Sequence, residues 1–173
     1  MKSSNLLSLA NVAKEAAKNA GKNLFKEFQK PQEVLLSKGR DIKLAVDEVA
    51  EKIIIDYLKE GSKLPILSEE AGITDDLGSE FWVVDPLDGT SNFFRSIPIC
   101  SSSISLVKDG SPCIGVIYDF LNDNLYWGAN GMGAHCNEMP IQVSNVSSKS
   151  EGTLMTGIPA KDNYSNSEFE KMI

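Results

Sequence analysis

The sequence contains few of the residues that serve as enzyme nucleophiles or bases, or that form disulfide bonds. Its 173 residues include one histidine and three cysteines. The cysteines (Cys100, Cys113 and Cys136) are odd in number and form no CxxC pair, which favours reduced thiols and a cytoplasmic location. None of them has a lysine or arginine as a direct neighbour that would activate a thiolate. The single histidine, His135, lies in a glycine-rich turn, where a structural or surface role is favoured over catalysis.

Long apolar runs and clusters of positive charge are also lacking. No stretch is apolar over the length that a bilayer requires, and the first residues do not follow the pattern of a cleaved signal segment. The net charge is −7, with no visible basic stripe. We therefore expect neither a membrane nor a nucleic acid as partner.

What is present suffices for one globular domain with a core, because 42% of the residues are hydrophobic and 24% are charged. Apolar residues at helical spacing predict a first helix over 6–28, ended by Pro31, and a second over 43–59, followed by Gly61. The apolar stripe of the first helix is predicted to be Leu6, Leu9, Ala10, Ala13, Ala17, Leu24 and Phe25. The buried side of the second is predicted to be Val46, Val49, Ala50, Ile53, Ile54 and Tyr57.

Short runs with β character follow the helices. They cover residues 64–67, 81–84, 103–107, 113–118 and 124–128. Turn residues at 108–112 and 120–123 predict successive antiparallel hairpins. Helices first and a strand meander second indicate an α+β fold rather than a βαβ repeat.

The most informative stretch is WVVDPLDGTSNF, residues 82–93, in which an apolar strand stops at two carboxylates. Asp85 and Asp88 are three residues apart, close enough to share or bracket two cations. Hard divalent cations prefer carboxylate and carbonyl oxygens. The alternative is an ordinary turn in which both aspartates cap the backbone, and an isolated DxxDG motif would favour that interpretation.

The residues around these aspartates strengthen the metal interpretation and add a phosphate site. Pro86 is predicted to end the sheet pairing and to leave the Leu87 carbonyl free as a ligand. Gly89 permits a close approach of the backbone to a tetrahedral anion. Thr90, Ser91 and Asn92 are N-cap residue types whose amides could open a short helix toward a phosphate.

Three further acids are candidates for the same site. Glu69 and Glu70 follow the strand-like run 64–67 and would meet Asp85 and Asp88 if the two strands are neighbours. Paired carboxylates are costly unless a cation offsets them, although such a pair alone is more often a solvated loop. Asp47, on the second helix, is either a first-turn acid favoured by the helix dipole or a group that orients a water or hydroxyl. Periodicity favours the first interpretation.

These stretches, in this order, resemble the inositol monophosphatase family of Mg²⁺-dependent, lithium-sensitive phosphatases. The matching segments are residues 45–47 (AVD), 68–70 (SEE), 82–93, 115–118 (GVIY) and 131–137 (GMGAHCN). The match runs from about residue 5 to the end of the chain, and its DPLDGTSNF stretch is highly specific. The resemblance implies a layered α/β sandwich of the sugar-phosphatase type, with two N-terminal helices packed on a largely antiparallel sheet.

The resemblance also implies the metal ligands. Glu69, Asp85 and the Leu87 carbonyl would hold a first Mg²⁺, and Asp85 would bridge to a second that Asp88 also binds. Lys38, in the loop 37–40, loosely matches a loop lysine near an additional metal position, so two or three ions are implied.

The catalytic and phosphate-binding roles follow from the same resemblance. The amides of Gly89, Thr90 and Ser91 would receive the phosphate. Thr90, with Asp47 behind it, would orient or deprotonate the attacking water, and Glu69 would complete the catalytic set. A small phosphomonoester is the implied substrate, and a homodimer is the expected state of the full-length form.

The sequence departs from the family in its length. Family members continue into a second αβ half, where a W-D-x-A-A-G-like motif supplies another metal-binding aspartate. That motif is missing here, and Asp162 lacks its pattern. A polar stretch (144–150), an apolar run (153–158) and a helix start over 165–173 end without a stop signal. We therefore expect residues 1–173 to be a single N-terminal metal- and phosphate-binding domain, a fragment of a longer two-domain enzyme whose C-terminal αβ half is absent.

The leading hypothesis is Mg²⁺-dependent hydrolysis of a phosphomonoester by two-metal activation of water. Inositol monophosphate is the favoured substrate, because residues 90–93 resemble the inositol-phosphate branch. Fructose 1,6-bisphosphate, 3′-phosphoadenosine 5′-phosphate and histidinol phosphate are the alternatives. A truncated, non-catalytic metal- or phosphate-binding module is the competing class. Calcium binding of the EF-hand type is disfavoured, because the required spacing of acids is missing.

Overall fold

The computed structural model describes residues 3–38 and 41–153, and the chain divides into the units Met1–Gln142 and Val143–Ile173. In the second unit, the described residues 143–153 contain a turn in which the Glu151 amide donates to the Ser148 carbonyl at 3.1 Å. Asp162, the predicted helix start over 165–173 and the predicted apolar run beyond residue 153 lie outside the described residues.

The first unit contains the helices and strands of the described chain. Their order is α1 (Ser3–Glu27), β1 (Val34–Lys38), β2 (Asp41–Leu44), α2 (Ala45–Gly61), β3 (Ile66–Ser68), β4 (Gly72–Ile73), β5 (Glu80–Asp88), α3 (Thr90–Phe94), β6 (Ser101–Lys108), β7 (Ser111–Asp119), β8 (Asn124–Ala129), β9 (Gly133–Cys136) and β10 (Met139–Ile141). The predicted α+β class is confirmed. In the described residues no helix is both long and apolar enough to cross a membrane.

Eight strands form one sheet, in the order β10-β9-β8-β7-β6-β5-β3-β4. Neighbouring strands are antiparallel except β3 and β5, which run parallel. Strands β1 and β2 form a separate antiparallel hairpin. The hairpins predicted at 108–112 and 120–123 are confirmed as the β6–β7 and β7–β8 connections.

Both long helices pack on one face of this sheet, α1 against β6, β7 and β8, and α2 against β5. The strands alternate, so that every second side chain points to the helices. A run of fully buried alanines lets α1 approach closely, and Gly21 has the tightest fit, because an added Cβ would lie 2.4 Å from the Tyr118 ring. The buried alanines of α1 are Ala10, Ala13, Ala16, Ala17 and Ala20.

The helix ends differ from the predictions. Helix α1 ends at Glu27, where Gln29 adopts a left-handed conformation (φ 64°), so Pro31 does not terminate it. Residues 43 and 44 belong to β2 rather than to α2. Gly61 is the last residue of α2 and lies against α1, since a Cβ there would come within 2.5 Å of the Val12 methyl carbons.

The predicted buried side of α2 is wrong in part, because two residues predicted to be buried are exposed and two acidic residues are buried instead. Val49 and Tyr57 are 48% and 39% exposed, whereas Asp47 and Glu51 are only 1% and 7% exposed. Phe25, predicted on the apolar stripe of the first helix, is 56% exposed. Apolar periodicity favoured Val49 and Tyr57 because it takes no account of polar partners on neighbouring elements.

Two strand predictions are also corrected. Pro86 does not end β5, which continues to Asp88, but the pairing shifts at that point. Asp85 is opposite Ser103 and Asp88 is opposite Ser101, so β5 carries one extra residue there, as in a β-bulge. Strands β1, β2, β4, β9 and β10 were missed because they are short or lack strong apolar alternation.

Candidate metal and phosphate site

The parallel pairing of β3 and β5 joins two acidic segments that are separate in sequence. Ser68 is the register partner of Val84, and the Glu69 amide donates to the Val84 carbonyl at 3.1 Å. Parallel neighbours end at the same edge of a sheet, so Glu69 follows β3 beside Asp85. The Glu69 side chain is near enough to raise the pKa of Asp85.

The irregular segment of β5 shapes the next part of the site. The Ser102 hydroxyl donates to the Pro86 carbonyl at 2.8 Å, which anchors the bulge to β6. The Leu87 carbonyl accepts a hydrogen bond from Thr90 Oγ1 at 2.9 Å, while the Leu87 side chain is buried. The predicted free carbonyl is therefore already partnered, although its second lone pair remains available.

Gly89 turns the chain from β5 into α3. Its φ of 89° is left-handed, and a Cβ at this position would come within 2.8 Å of the Ile99 carbonyl oxygen. Its own carbonyl accepts the amides of Asn92 and Phe93. Both the dihedral and the close approach require glycine.

These segments surround one cavity of about 430 Å³. Its walls combine acidic side chains from the two strands, the start of α3, and residues of the β1–β2 hairpin. The lining residues are Leu36, Ile42, Lys43, Glu69, Glu70, Asp85, Leu87, Asp88, Gly89, Thr90 and Ser91. The predicted metal ligands, phosphate-binding residues and catalytic residues, with the exception of Asp47, are thus brought together.

Asp85 is the most perturbed acid on the cavity wall. Burial, followed by the neighbouring Glu69 and then Asp88, raises the pKa of Asp85 to about 7. Its Oδ1 atom is buried without a hydrogen-bond partner. Across residues 3–38 and 41–153, no three acidic, histidine or cysteine side chains form a closed cage for a metal ion. The carboxylates therefore line the same cavity without converging on a single point.

Asp47 takes the first of the two roles that the sequence left open, that of an acid in the first turn of a helix. It is the third residue of α2, and its Oδ2 accepts the Leu44 amide at 2.7 Å, so it caps the helix. Its Oδ1 is buried without a partner. Burial is the main cause that raises the pKa of Asp47 to about 7, and Glu70 and Glu69 add to it. Thr90 and Asp47 each bond elsewhere, so the implied support of Thr90 by Asp47 is not formed as a direct hydrogen bond.

Lys43 and Glu70 contribute a feature that sequence reasoning missed. Lys43 Nζ lies 2.8 Å from Glu70 Oε2 and 3.1 Å from Glu48 Oε1. Hydrogen bonding to Glu70 and then to Glu48 raises the pKa of Lys43 above its usual value. A cation is therefore placed among the acids of the cavity. No local pattern signals this, because the two partners of Lys43 belong to different elements.

Several predicted residues lie elsewhere. Lys38 belongs to β1 rather than to a loop, and residues 39–40 of that loop lie outside the described residues. His135, on β9, stacks on Trp127 with ring centroids 4.4 Å apart, four strands from β5. All three cysteines are free thiols, and burial raises the pKa of the Cys100 thiol to about 11, which disfavours a thiolate nucleophile.

Comparisons with known proteins agree with this geometry. The model of the inositol monophosphatase family matches residues 5–172. An inositol-1-monophosphatase from Synechocystis is 37% identical over 160 residues, covering 89% of this chain and 55% of that protein. A Nus factor SuhB from Xylella fastidiosa is 37% identical over 155 residues, covering 88% of this chain and 56% of that protein.

A solved inositol monophosphatase from Anabaena superposes with a TM-score of 0.71 at 34% identity, covering 83% of this chain and 52% of that one. The chain thus spans about half the length of the relatives that it matches. Sequence, fold and the clustering of the acidic segments agree, and the chain belongs to the inositol monophosphatase family.

Proposed function

We propose that this chain forms the metal- and phosphate-binding part of a Mg²⁺-dependent phosphomonoester hydrolase. One observation carries the proposal: Glu69, Asp85 and Asp88 line the same cavity as Gly89, Thr90 and Ser91 at the start of α3. Carboxylates suit a hard cation, and backbone amides suit a phosphate. A site that offers both fits an anionic ester neutralised by metal ions.

The donor set fits Mg²⁺, because every candidate ligand is an oxygen atom. Asp85 Oδ1 is buried without a partner, which leaves an acceptor that a cation would satisfy. Glu69, Asp85 and the Leu87 carbonyl would hold the first ion, and Asp85 and Asp88 the second, with Lys38 near a third position. When bound, the ions would lower the pKa of water and neutralise charge on the phosphate.

The protein's own groups would orient the reactants. Thr90 Oγ1 gives its proton to the Leu87 carbonyl, so its lone pairs remain to accept a hydrogen bond from the attacking water. The amides of Gly89, Thr90 and Ser91 would receive the phosphate oxygens. Asp47 would act behind Thr90, because its buried Oδ1 has no partner and can accept a further hydrogen bond.

Inositol monophosphate is the substrate that we propose, since residues 90–93 resemble the inositol-phosphate branch and the Synechocystis relative is named an inositol-1-monophosphatase. Fructose 1,6-bisphosphate, 3′-phosphoadenosine 5′-phosphate and histidinol phosphate are the alternatives, which a substrate panel with Mg²⁺ would rank. The proposal includes a cytoplasmic location, a homodimer for the full-length form, and neither a nucleic acid nor a membrane as partner.

The decisive variant is Asp85→Asn, which keeps the shape of the side chain but removes the charge proposed to bridge two ions. We expect Mg²⁺-dependent phosphate release to fall by at least about a hundredfold, as for loss of a group that the chemistry requires. Asp76→Asn, at an exposed loop position, is the matched control and should retain full activity. Activity of Asp85→Asn within a few-fold of the unmodified protein would refute the metal assignment.

A second candidate function is a metal- or phosphate-binding module without catalysis. One observation favours it: several of the relatives carry the name Nus factor SuhB. The two candidates differ in one measurement. Phosphate binding without turnover, under conditions in which Mg²⁺ is bound, would favour the module.

A further inference from the structure

A buried carboxylate on α2 contacts both sides of the turn that carries Glu69 and Glu70. Glu51 Oε1 accepts the Ser68 hydroxyl at 2.5 Å and the Ala71 amide at 2.8 Å. Ser68 is the last residue of β3, and Ala71 precedes β4. One oxygen atom thus holds the residue before the acidic pair and the residue after it.

The burial of Glu51 requires these partners. Glu51 is 7% exposed and Ser68 is 3% exposed. A buried carboxylate is costly unless its oxygens are hydrogen-bonded. The two bonds from the turn therefore explain why an acid, rather than an apolar residue, occupies this inward position of α2.

The helix also relates the two parts of the site. Glu51 follows Asp47 by four residues, so both side chains lie on one face of α2. Asp47 accepts a hydrogen bond from the Leu44 amide at the end of β2, and Glu51 accepts one from the Ala71 amide in the turn after β3. On its other side, the turn is tied to β5 by the bond from the Glu69 amide to the Val84 carbonyl.

We infer that Glu51 is a positioning residue that sets the place of the Glu69 carboxylate relative to Asp85. The inference rests on the proposed function, since it concerns a proposed metal ligand. Glu51 does not line the cavity, so it acts through the turn and not by contact with the ion. Partners that orient metal ligands commonly change metal affinity by about 10- to 100-fold when they are removed.

The test measures Mn²⁺ affinity by electron paramagnetic resonance of the free ion, using the full 173-residue chain. Glu51→Ala removes both hydrogen bonds and should weaken binding about tenfold or more. Ser68→Ala removes one bond and should weaken it by a few-fold. Glu51→Gln keeps an oxygen that can accept both bonds, and should bind within about threefold of the unmodified chain. Asp56→Ala removes an exposed carboxylate from the same helix and should have no effect.

A second readout follows the turn without metal. Amide hydrogen exchange at Ala71 should be faster in Glu51→Ala and unchanged in Glu51→Gln and Asp56→Ala. Circular dichroism will show whether Glu51→Ala folds. If it does not, the Mn²⁺ affinities of Ser68→Ala and Glu51→Gln test the inference instead. An affinity of Ser68→Ala equal to that of the unmodified chain would then overturn it.

The remaining outcomes separate the inference from the function on which it rests. Normal Mn²⁺ affinity in folded Glu51→Ala overturns the inference alone. Weak binding by Glu51→Gln, equal to that of Glu51→Ala, would show that charge and not position matters, and also overturns it. An unmodified chain that binds no Mn²⁺ overturns the proposed metal site, and the inference with it.

Discussion

Asp47 should destabilise the metal-free protein at neutral and alkaline pH, and Asp47→Asn tests this directly. The asparagine has a similar shape, and its side-chain oxygen can still accept the Leu44 amide, which Asp47 binds at 2.7 Å. The substitution therefore removes the buried negative charge while it keeps the helix cap. We expect the metal-free variant to be more stable than the unmodified chain at pH 8.

The sign follows from the raised pKa. Asp47 has a pKa of about 7 in the folded chain, against an ordinary value of 3.8. Between these two values the folded state binds more protons than the unfolded state, so the stability contributed by this group falls as pH rises. The loss is complete above pH 7, and it is absent below pH 3.8.

The magnitude follows from the same difference. At 1.36 kcal/mol for each pH unit, a rise from 3.8 to about 7 corresponds to about 4 kcal/mol between the two protonation states. Local relaxation and water entry reduce such penalties. We therefore expect Asp47→Asn to gain about 2 to 4 kcal/mol over the unmodified chain at pH 8, and close to nothing at pH 4.

Urea unfolding in the presence of a chelator, at several pH values from 4 to 8, measures this difference. Asp56→Asn is the matched control, because Asp56 lies on the same helix and its side chain is 62% exposed. A difference between Asp47→Asn and the unmodified chain that is the same at pH 4 and pH 8 would refute the reasoning. So would a variant that is less stable than the unmodified chain at pH 8.

Two further predictions concern Gly89 and Lys43. Gly89→Ala should cost about 1–2 kcal/mol for the left-handed backbone, plus a further loss from the contact with the Ile99 carbonyl. Gly110→Ala, at a similar positive φ but with open space, is the control, and equal losses in urea unfolding would exclude the steric contribution. Lys43→Met should tighten Mn²⁺ binding about fivefold, because Lys43 puts a positive charge on the wall of the same cavity, and two unit charges a few ångströms apart interact by about 1 kcal/mol in a water-like medium. Lys52→Met, an exposed lysine on α2, should leave the affinity unchanged, and unchanged affinity in Lys43→Met as well would contradict the prediction.

The sequence predicted those features that depend only on residues close together in the chain. The hairpin turns at 108–112 and 120–123 were recoverable because residues such as Gly110 and Asp123 adopt positive φ in short turns. The segment 82–93 indicated its chemistry because ligand types, a glycine and N-cap residues occur together. Pro86 was expected to end the strand, yet β5 continues through a bulge at this point, where the Ser102 hydroxyl donates to the Pro86 carbonyl.

The amino-acid sequence alone determined which groups are available: two acidic segments, a glycine suited to a tight turn, and helices with an apolar side. Tertiary structure decided which of these groups meet. The parallel pairing of β3 with β5 placed Glu69 beside Asp85, and the packing of α2 buried Asp47 and Glu51 in place of Val49 and Tyr57. The physical reason is that periodicity records only the average polarity of a face, whereas burial of a carboxylate depends on hydrogen-bond partners that other segments bring to it.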